Sequence, residues 1–210
     1  MGQAARTRTA SRGRPVRRGA WRTPLLGPAA FALWRIDAAR KVTWIEPHLP
    51  PSARLLEIGS GPGSVLAALR ARGRVVTAVD VADGAYTERL RATLYDGTTL
   101  PFAADAFDAA LLLTTLHHTH DPLGVLREAA RVAPRVLVVE DVYRSAFQRR
   151  LTKIADAVTN LEFRGHPHNN KDDAGWRAAF NDLGLVVRHA DEKPYVGAFL
   201  QALYVLERAP

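Results

Sequence analysis

Residues 55–65 read LLEIGSGPGSV, with Gly59, Gly61 and Gly63 at alternate positions and Glu57 two places before the first of them. Glycine has no Cβ, so the backbone of such a turn can approach a ligand closely. Between a strand and a helix, the turn makes a ligand site at the carboxyl end of a parallel sheet. Where a nucleotide binds this kind of turn, its pyrophosphate sits at the helix start. A carboxylate beside that point repels a pyrophosphate and suits an ammonium group. The spacing agrees, being G-x-G-x-G and not the G-x-G-x-x-G of dinucleotide sites. Asp80 ends a second apolar segment, VVTAVD, where an acid can accept hydrogen bonds from both hydroxyls of a ribose. The ligand these residues describe has a sugar and a cation and no need for phosphate.

Five of the seven histidines fall in two stretches, LHHTHDP (His117, His118, His120) and RGHPHNN (His166, His168). Imidazole titrates near neutrality and serves as a metal ligand or a base. A metal site needs at least three converging ligands, with Asp121 or Asp141 as candidates for completing it. Nothing in the spacing demands one, and no metal is expected. Tyr143, Phe163, His166, His168 and Asn169 lie in the long segment after Glu140. Their mixture of aromatic and polar groups suits a small organic acceptor. The alternative is a surface loop in which Asp172 or Asp173 caps the next helix.

The elements that position these residues follow from hydrophobic period and punctuation. Residues 29–49 carry Phe31, Leu33, Trp34, Ile36, Val42, Trp44 and Ile45 at helical spacing, one or two helices that LPPS must end. Strands are expected at Arg54–Ile58, Val75–Asp80, Phe107–Thr114, Val136–Glu140, Leu185–Ala190 and Ala202–Arg208, with a poor one near Thr93–Tyr95. Helices are expected at Ser64–Arg72, weakly at Thr87–Ala92, after an Asp121 cap to about Val132, at Arg144–Leu161 and at Asp173–Leu183. Strands alternating with helices imply a parallel sheet covered on both faces. The last two strands have no helix between them and should pair antiparallel.

The 210 residues suit a single domain. No apolar run approaches the length of a membrane span. There is no cysteine, which excludes a disulfide framework and a thiolate zinc site. A reducing compartment fits, and the cytoplasm is the expected location. The net charge of +8 has a local origin: residues 1–22 hold seven arginines and no acid, leaving 22 basic against 21 acidic residues elsewhere. A disordered basic tail over 1–24 and a folded domain over 25–210 are therefore expected. The tail reads as a solvated extension, or as a contact for nucleic acid or an anionic surface through residues 1–22. An export signal ranks last, because LLGPAAFALW is short, contains Pro28 and runs straight into Arg35.

The ordered set LLEIGSGPGSV, VVTAVD, YDGTTLPFAADAFDAALLLTTLHH and DPLGVLREAARV resembles the class I S-adenosylmethionine-dependent methyltransferases, in the subgroup of the ubiquinone and menaquinone enzymes. The resemblance covers roughly residues 50–140. It implies a Rossmann-like three-layer α/β sandwich with a mostly parallel seven-stranded sheet and an antiparallel C-terminal strand. It implies S-adenosyl-L-methionine as cofactor, its methionine part held by Gly59, Ser60, Gly61 and Gly63 and its amine placed by Glu57. Asp80 and Val81 then belong to the ribose side, Asp96 and Gly97 to the adenine side, and Thr115 and Leu116 border the methionine chain. Only fifteen residues separate Asp80 from Asp96, so the second helix and third strand of the family must be abbreviated.

Methyl transfer is an in-line displacement whose main requirement is alignment. An acidic O, N or C nucleophile also has to lose a proton. His117, just past the fourth strand, is expected either as that base or as a loop histidine shaping the pocket. The expected reaction is methylation of a small-molecule acceptor. Two alternatives are an RNA or protein methyltransferase tethered by the arginine-rich tail, and a cofactor-binding partner without turnover. No amide-reading N-P-P-Y motif is present.

Overall fold

In the computed structural model, residues 27–145, 148, 150, 169–197 and 199–209 are described. The apolar segments form seven strands: β1 (Arg54–Ile58), β2 (Val75–Asp80), β3 (Thr93–Leu94), β4 (Ala109–Leu113), β5 (Arg135–Val142), β6 (Leu185–Pro194) and β7 (Leu200–Arg208). They make one sheet in the order β3-β2-β1-β4-β5-β7-β6. Strands β1 to β5 run parallel to one another, and β7 runs antiparallel to both β5 and β6. The described helices are α1 (Gly27–Ile45), α2 (Ser64–Ala71), α3 (Pro122–Val132) and α4 (Asp173–Asp182).

Strand residues alternate between two cores. Leu55, Ala109, Leu111, Leu137 and Leu203 pack with Val42, Ile45, Leu66 and Leu69 of α1 and α2. Leu56, Ala110, Leu112, Val138 and Tyr204 pack with Leu126, Ala129, Trp176 and Phe180 of α3 and α4. This is the expected three-layer sandwich. The strand order reverses between the parallel neighbours β1 and β4, which opens a crevice at their carboxyl ends.

Several boundaries differ from the sequence expectation for local reasons. The helix expected over 87–92 is only a 3-10 turn at Glu88–Leu90, and β3 has two residues. With so few residues between Asp80 and Asp96 there is no room for more. The fourth strand starts at Ala109, not Phe107, because the Phe107 amide turns to the Val132 carbonyl at 3.0 Å. It stops before Thr114, which takes a left-handed φ of 56°. β6 extends to Pro194 and pairs along the full length of β7, with an irregularity between Val187 and His189. Asp121 caps α3 through the Gly124 amide and Asp172 caps α4 through the Gly175 amide. The tail over 1–24 and nearly all of the helix expected over 144–161 lie outside the described residues. No helix among the described residues is long and apolar enough to cross a membrane.

Candidate functional site

The glycine turn follows β1 and opens α2. Gly59 takes a φ of +78°, and a Cβ on it would stand 2.3 Å from Thr115 Cγ2. A side chain at Gly59 is therefore excluded by conformation and by contact. Gly61 also takes a positive φ, +51°, but a Cβ there meets nothing within 4 Å. The side-chain direction at Gly61 thus faces open space, while its amide bonds Asp80 and its carbonyl lies beside Gly84.

Two carboxylates flank this turn. Glu57 is 3% exposed and accepts a hydrogen bond from Ser60 Oγ at 3.2 Å. Burial pushes its carboxyl up to about 8; the Ser60 bond opposes this and the nearby Asp80 adds to it. Asp80 Oδ2 accepts from the Gly61 amide at 2.7 Å and Oδ1 from the Ala82 amide at 3.1 Å. Burial raises the Asp80 carboxyl as well, outweighing those amides. Asp80 thus shapes the turn while standing at the end of β2. With the Val81 amide beside them as well, the two oxygens still have acceptor capacity for a further donor.

Beyond β2, the Tyr95 amide bonds the Asp80 carbonyl at 3.0 Å, which brings the YDG stretch to the same edge. Asp96 is exposed, and its Oδ1 accepts from the amides of Thr98 and Thr99 at 2.8 and 2.9 Å. Those amides hold its carboxyl below the usual range. A Cβ on Gly97 would lie 3.2 Å from Val81 Cγ1, and Val81 is 58% exposed. Val81, Asp96 and Gly97 therefore form one surface, with a bare apolar side chain in it. Phe31 of α1 stacks on Tyr86 at 4.1 Å between ring centroids, walling this side of the crevice.

On the β4 side, Thr115 donates from its hydroxyl to the Ile58 carbonyl at 3.2 Å. Its amide and that of Leu116 donate to Glu140 Oε1 at 2.9 and 2.7 Å. His117 Nδ1 meets Glu140 Oε2. Glu140 is fully buried and His117 is 1% exposed, its ring against that of His118. The sequence reading passed over Glu140. Its signal is an acid that directly follows the apolar run VLVV within β5.

The structure brings Glu57, Gly59, Ser60, Gly61, Gly63, Asp80, Val81, Asp96, Gly97 and Thr115 to one sheet edge. Tyr143 is half-buried just past β5. His166, His168 and Phe163 lie outside the described residues. Asn169 bonds the Thr119 carbonyl through its side chain at 2.6 Å and the His117 carbonyl through its amide. Asp108 sits at the opposite edge, paired with Arg54 at 3.2 Å. Among the described residues no group of three His, Asp or Glu side chains is arranged to hold a metal ion. An open recess of about 750 Å³ lies at that opposite edge between Pro50, Asp108, Pro134 and Arg208; apart from Asp108, it contains none of the residues singled out above.

A model of the methyltransferase domain family matches residues 56–135. A demethylmenaquinone methyltransferase of Clavibacter sepedonicus is 32% identical over 117 residues, covering 51% of this chain and 46% of that protein. Its counterpart in Corynebacterium efficiens is 26% identical over 182 residues, covering 70% of this chain and 78% of that protein. The alignment with the first thus spans under half of the relative's length. A solved S-adenosylmethionine-dependent methyltransferase of Methanosarcina mazei superposes with a TM-score of 0.64 at 16% identity, over 79% of this chain and 96% of that one.

Proposed function

We propose that the chain is a class I S-adenosylmethionine-dependent methyltransferase, akin to the menaquinone and ubiquinone enzymes, and that it methylates a small quinol-like acceptor. The observation that carries the cofactor assignment is the pairing of Glu57 with Asp80 on either side of an open Gly61. Glu57 is a buried acid that forms no ion pair among the described residues, its one hydrogen bond coming from Ser60, a fitting partner for the cofactor's ammonium group. Asp80 suits the ribose hydroxyls. Val81, Asp96 and Gly97 would border the adenine, and Thr115 the methionine chain.

S-adenosylmethionine, when bound, supplies a sulfonium methyl open to attack. The chain's own task is alignment and proton handling. Thr115 is held against Gly59 by Glu140, which fixes the wall beside the methyl. The near-complete burial of His117 and its bond to Glu140 support the pocket-shaping reading of that residue over the base. The acceptor class is suggested by the relatives, which are demethylmenaquinone methyltransferases. A folded unit over 25–210, with the arginine-rich 1–24 outside it, remains our reading of the chain's organisation.

A thermal-shift titration with S-adenosylhomocysteine tests this. Selective binding to the folded state raises the melting temperature with ligand concentration. No shift at millimolar ligand, with a shift for a dinucleotide, would contradict it.

A further inference from the structure

A second group of enclosed polar side chains lies beside the cofactor cradle, on the α1 side of β4 and β5. Asp141, next to last in β5, stands opposite Gln201 of β7. Its Oδ1 accepts from Gln201 Nε2 at 2.7 Å, and Gln201 Oε1 in turn accepts from Arg40. Lys41, buried on α1, reaches Asp37 at 2.6 Å and Thr114 Oγ1 at 2.8 Å. Thr114 immediately precedes Thr115, the residue packed on Gly59. The group therefore borders the place where a bound cofactor's methyl would face.

Most of these groups are committed to each other. Asp37 holds Lys41 and also Arg40, the latter at 3.0 Å. Burial alone would raise the Asp37 carboxyl, yet Lys41 and Arg40 bring it below the usual range. The Arg40 guanidinium lies over the Tyr195 ring at 4.7 Å. Burial, with Asp37 beside it, pushes the Tyr195 hydroxyl up to about 12, which removes it as a base near neutrality. Asp141 differs. Its single hydrogen bond among the described residues goes to Oδ1, and the residue keeps some solvent access.

We propose that Asp141 is the proton acceptor for the methyl acceptor, and that Asp141, Gln201, Thr114 and Lys41 form the floor of the acceptor site. The proposal rests on the methyltransferase reading above. The ligand class is a phenol or quinol. Its O–H bond breaks and the proton passes to Asp141 Oδ2. The freed electron pair, on oxygen or delocalised to a ring carbon, forms the bond to the methyl carbon; after attack by carbon, that carbon's own proton leaves to solvent and the oxygen takes one back. The carbon–sulfur bond breaks, its electrons return to sulfur, and a neutral thioether leaves. Asp141 then releases the proton to solvent. Burial raises the Asp141 carboxyl, against the lowering effects of His117, the Gln201 bond and Lys41. This brings it nearer the range where a general base works best. The charged or titratable groups facing it are Lys41, Asp37 and Arg40 from α1, His117 and Glu140 from the β4 and β5 ends, and Tyr195 from the β6–β7 turn.

The test uses the full chain with S-adenosylmethionine and 1,4-naphthohydroquinone. Asp141→Asn should lower kcat by about 100-fold and remove the acidic limb of the pH–kcat profile. Its KM for the quinol and its affinity for S-adenosylhomocysteine should stay within about threefold. Asp141→Glu should recover part of kcat with the limb present. Gln201→Leu, which removes a donor to the carboxylate, should move the limb to higher pH; a merely structural role would not. An acceptor-free readout follows the side-chain ¹³C resonances of labelled aspartates. A signal missing from Asp141→Asn should titrate above the ordinary aspartate range and higher still in Gln201→Leu. An Asp141→Asn protein that folds, binds S-adenosylhomocysteine and keeps kcat and the limb overturns the proposal, as does an Asp141 signal titrating below the ordinary range. Absence of S-adenosylhomocysteine binding to the wild type overturns the methyltransferase reading, and this proposal with it.

Discussion

Thr115 packs its side chain so closely over Gly59 that a Cβ on the glycine would lie 2.3 Å from Thr115 Cγ2 and 2.8 Å from its Oγ1. This contact joins the first and fourth strands at the site. Gly59→Ala should destabilise the protein by about 1–3 kcal/mol and weaken S-adenosylhomocysteine binding. Adding Thr115→Ala removes both atoms of closest approach but leaves the φ of +78°. The double mutant should recover part of the loss, read as a coupling energy from urea denaturation. Strict additivity would contradict the contact.

Glu140 gathers the amides of Thr115 and Leu116 and the His117 ring nitrogen on one buried carboxylate. Glu140→Gln substitutes an amide whose NH₂ group faces donors. The expected loss is about 2–4 kcal/mol, since hydrogen bonds to charged groups are the stronger ones and a buried donor left unpaired is costly. Urea denaturation measures it. A change under 0.5 kcal/mol, roughly the level of a typical surface substitution, would show that the three donors do not depend on it.

Glu57 makes both stability and binding respond to pH. Its folded value, about 8, lies above the unfolded one. The folded state therefore holds a proton that the unfolded state has lost, and stability from this group falls as pH rises from about 4.5 towards 8. A ligand ammonium reverses the preference by favouring the ionised form. Affinity for S-adenosylhomocysteine should rise by up to about tenfold per unit between pH 6 and 8 and then level off. Calorimetry in buffers of different ionisation enthalpy should show proton release. Glu57→Gln should abolish the slope.

Asp80 is tied to the Gly61 and Ala82 amides and assigned to the ribose. Asp80→Ala removes an acceptor from both roles. The expected loss in S-adenosylhomocysteine affinity is about 100-fold, roughly 2.7 kcal/mol. Asp96→Ala, at an exposed carboxylate, should cost less, about 5–10-fold, by the same calorimetry. Equal losses at the two positions would contradict the arrangement.

The glycine turn, Glu57 and Asp80 were legible in the sequence because each is a local event at the end of an apolar strand. The succession of strands along the chain and the two helix caps were legible for the same reason. The second polar group was not. Lys41 looks like one polar residue on an amphipathic helix, and only the packing of α1 on the sheet brings it to Thr114, 73 positions away. Gln201 and Asp141 meet through an antiparallel register that no short-range pattern encodes. Glu140 was passed over because a carboxylate inside an apolar strand makes sense only once the Thr115 and Leu116 amides are seen to converge on it.

The most direct measurement is a crystal structure with S-adenosylhomocysteine bound. The amino group should lie by Glu57, both ribose hydroxyls within hydrogen-bond reach of Asp80, and the sulfur should face the Thr114–Asp141 side. A ligand bound elsewhere, or carboxylates of Glu57 and Asp80 turned away from it, would contradict the account.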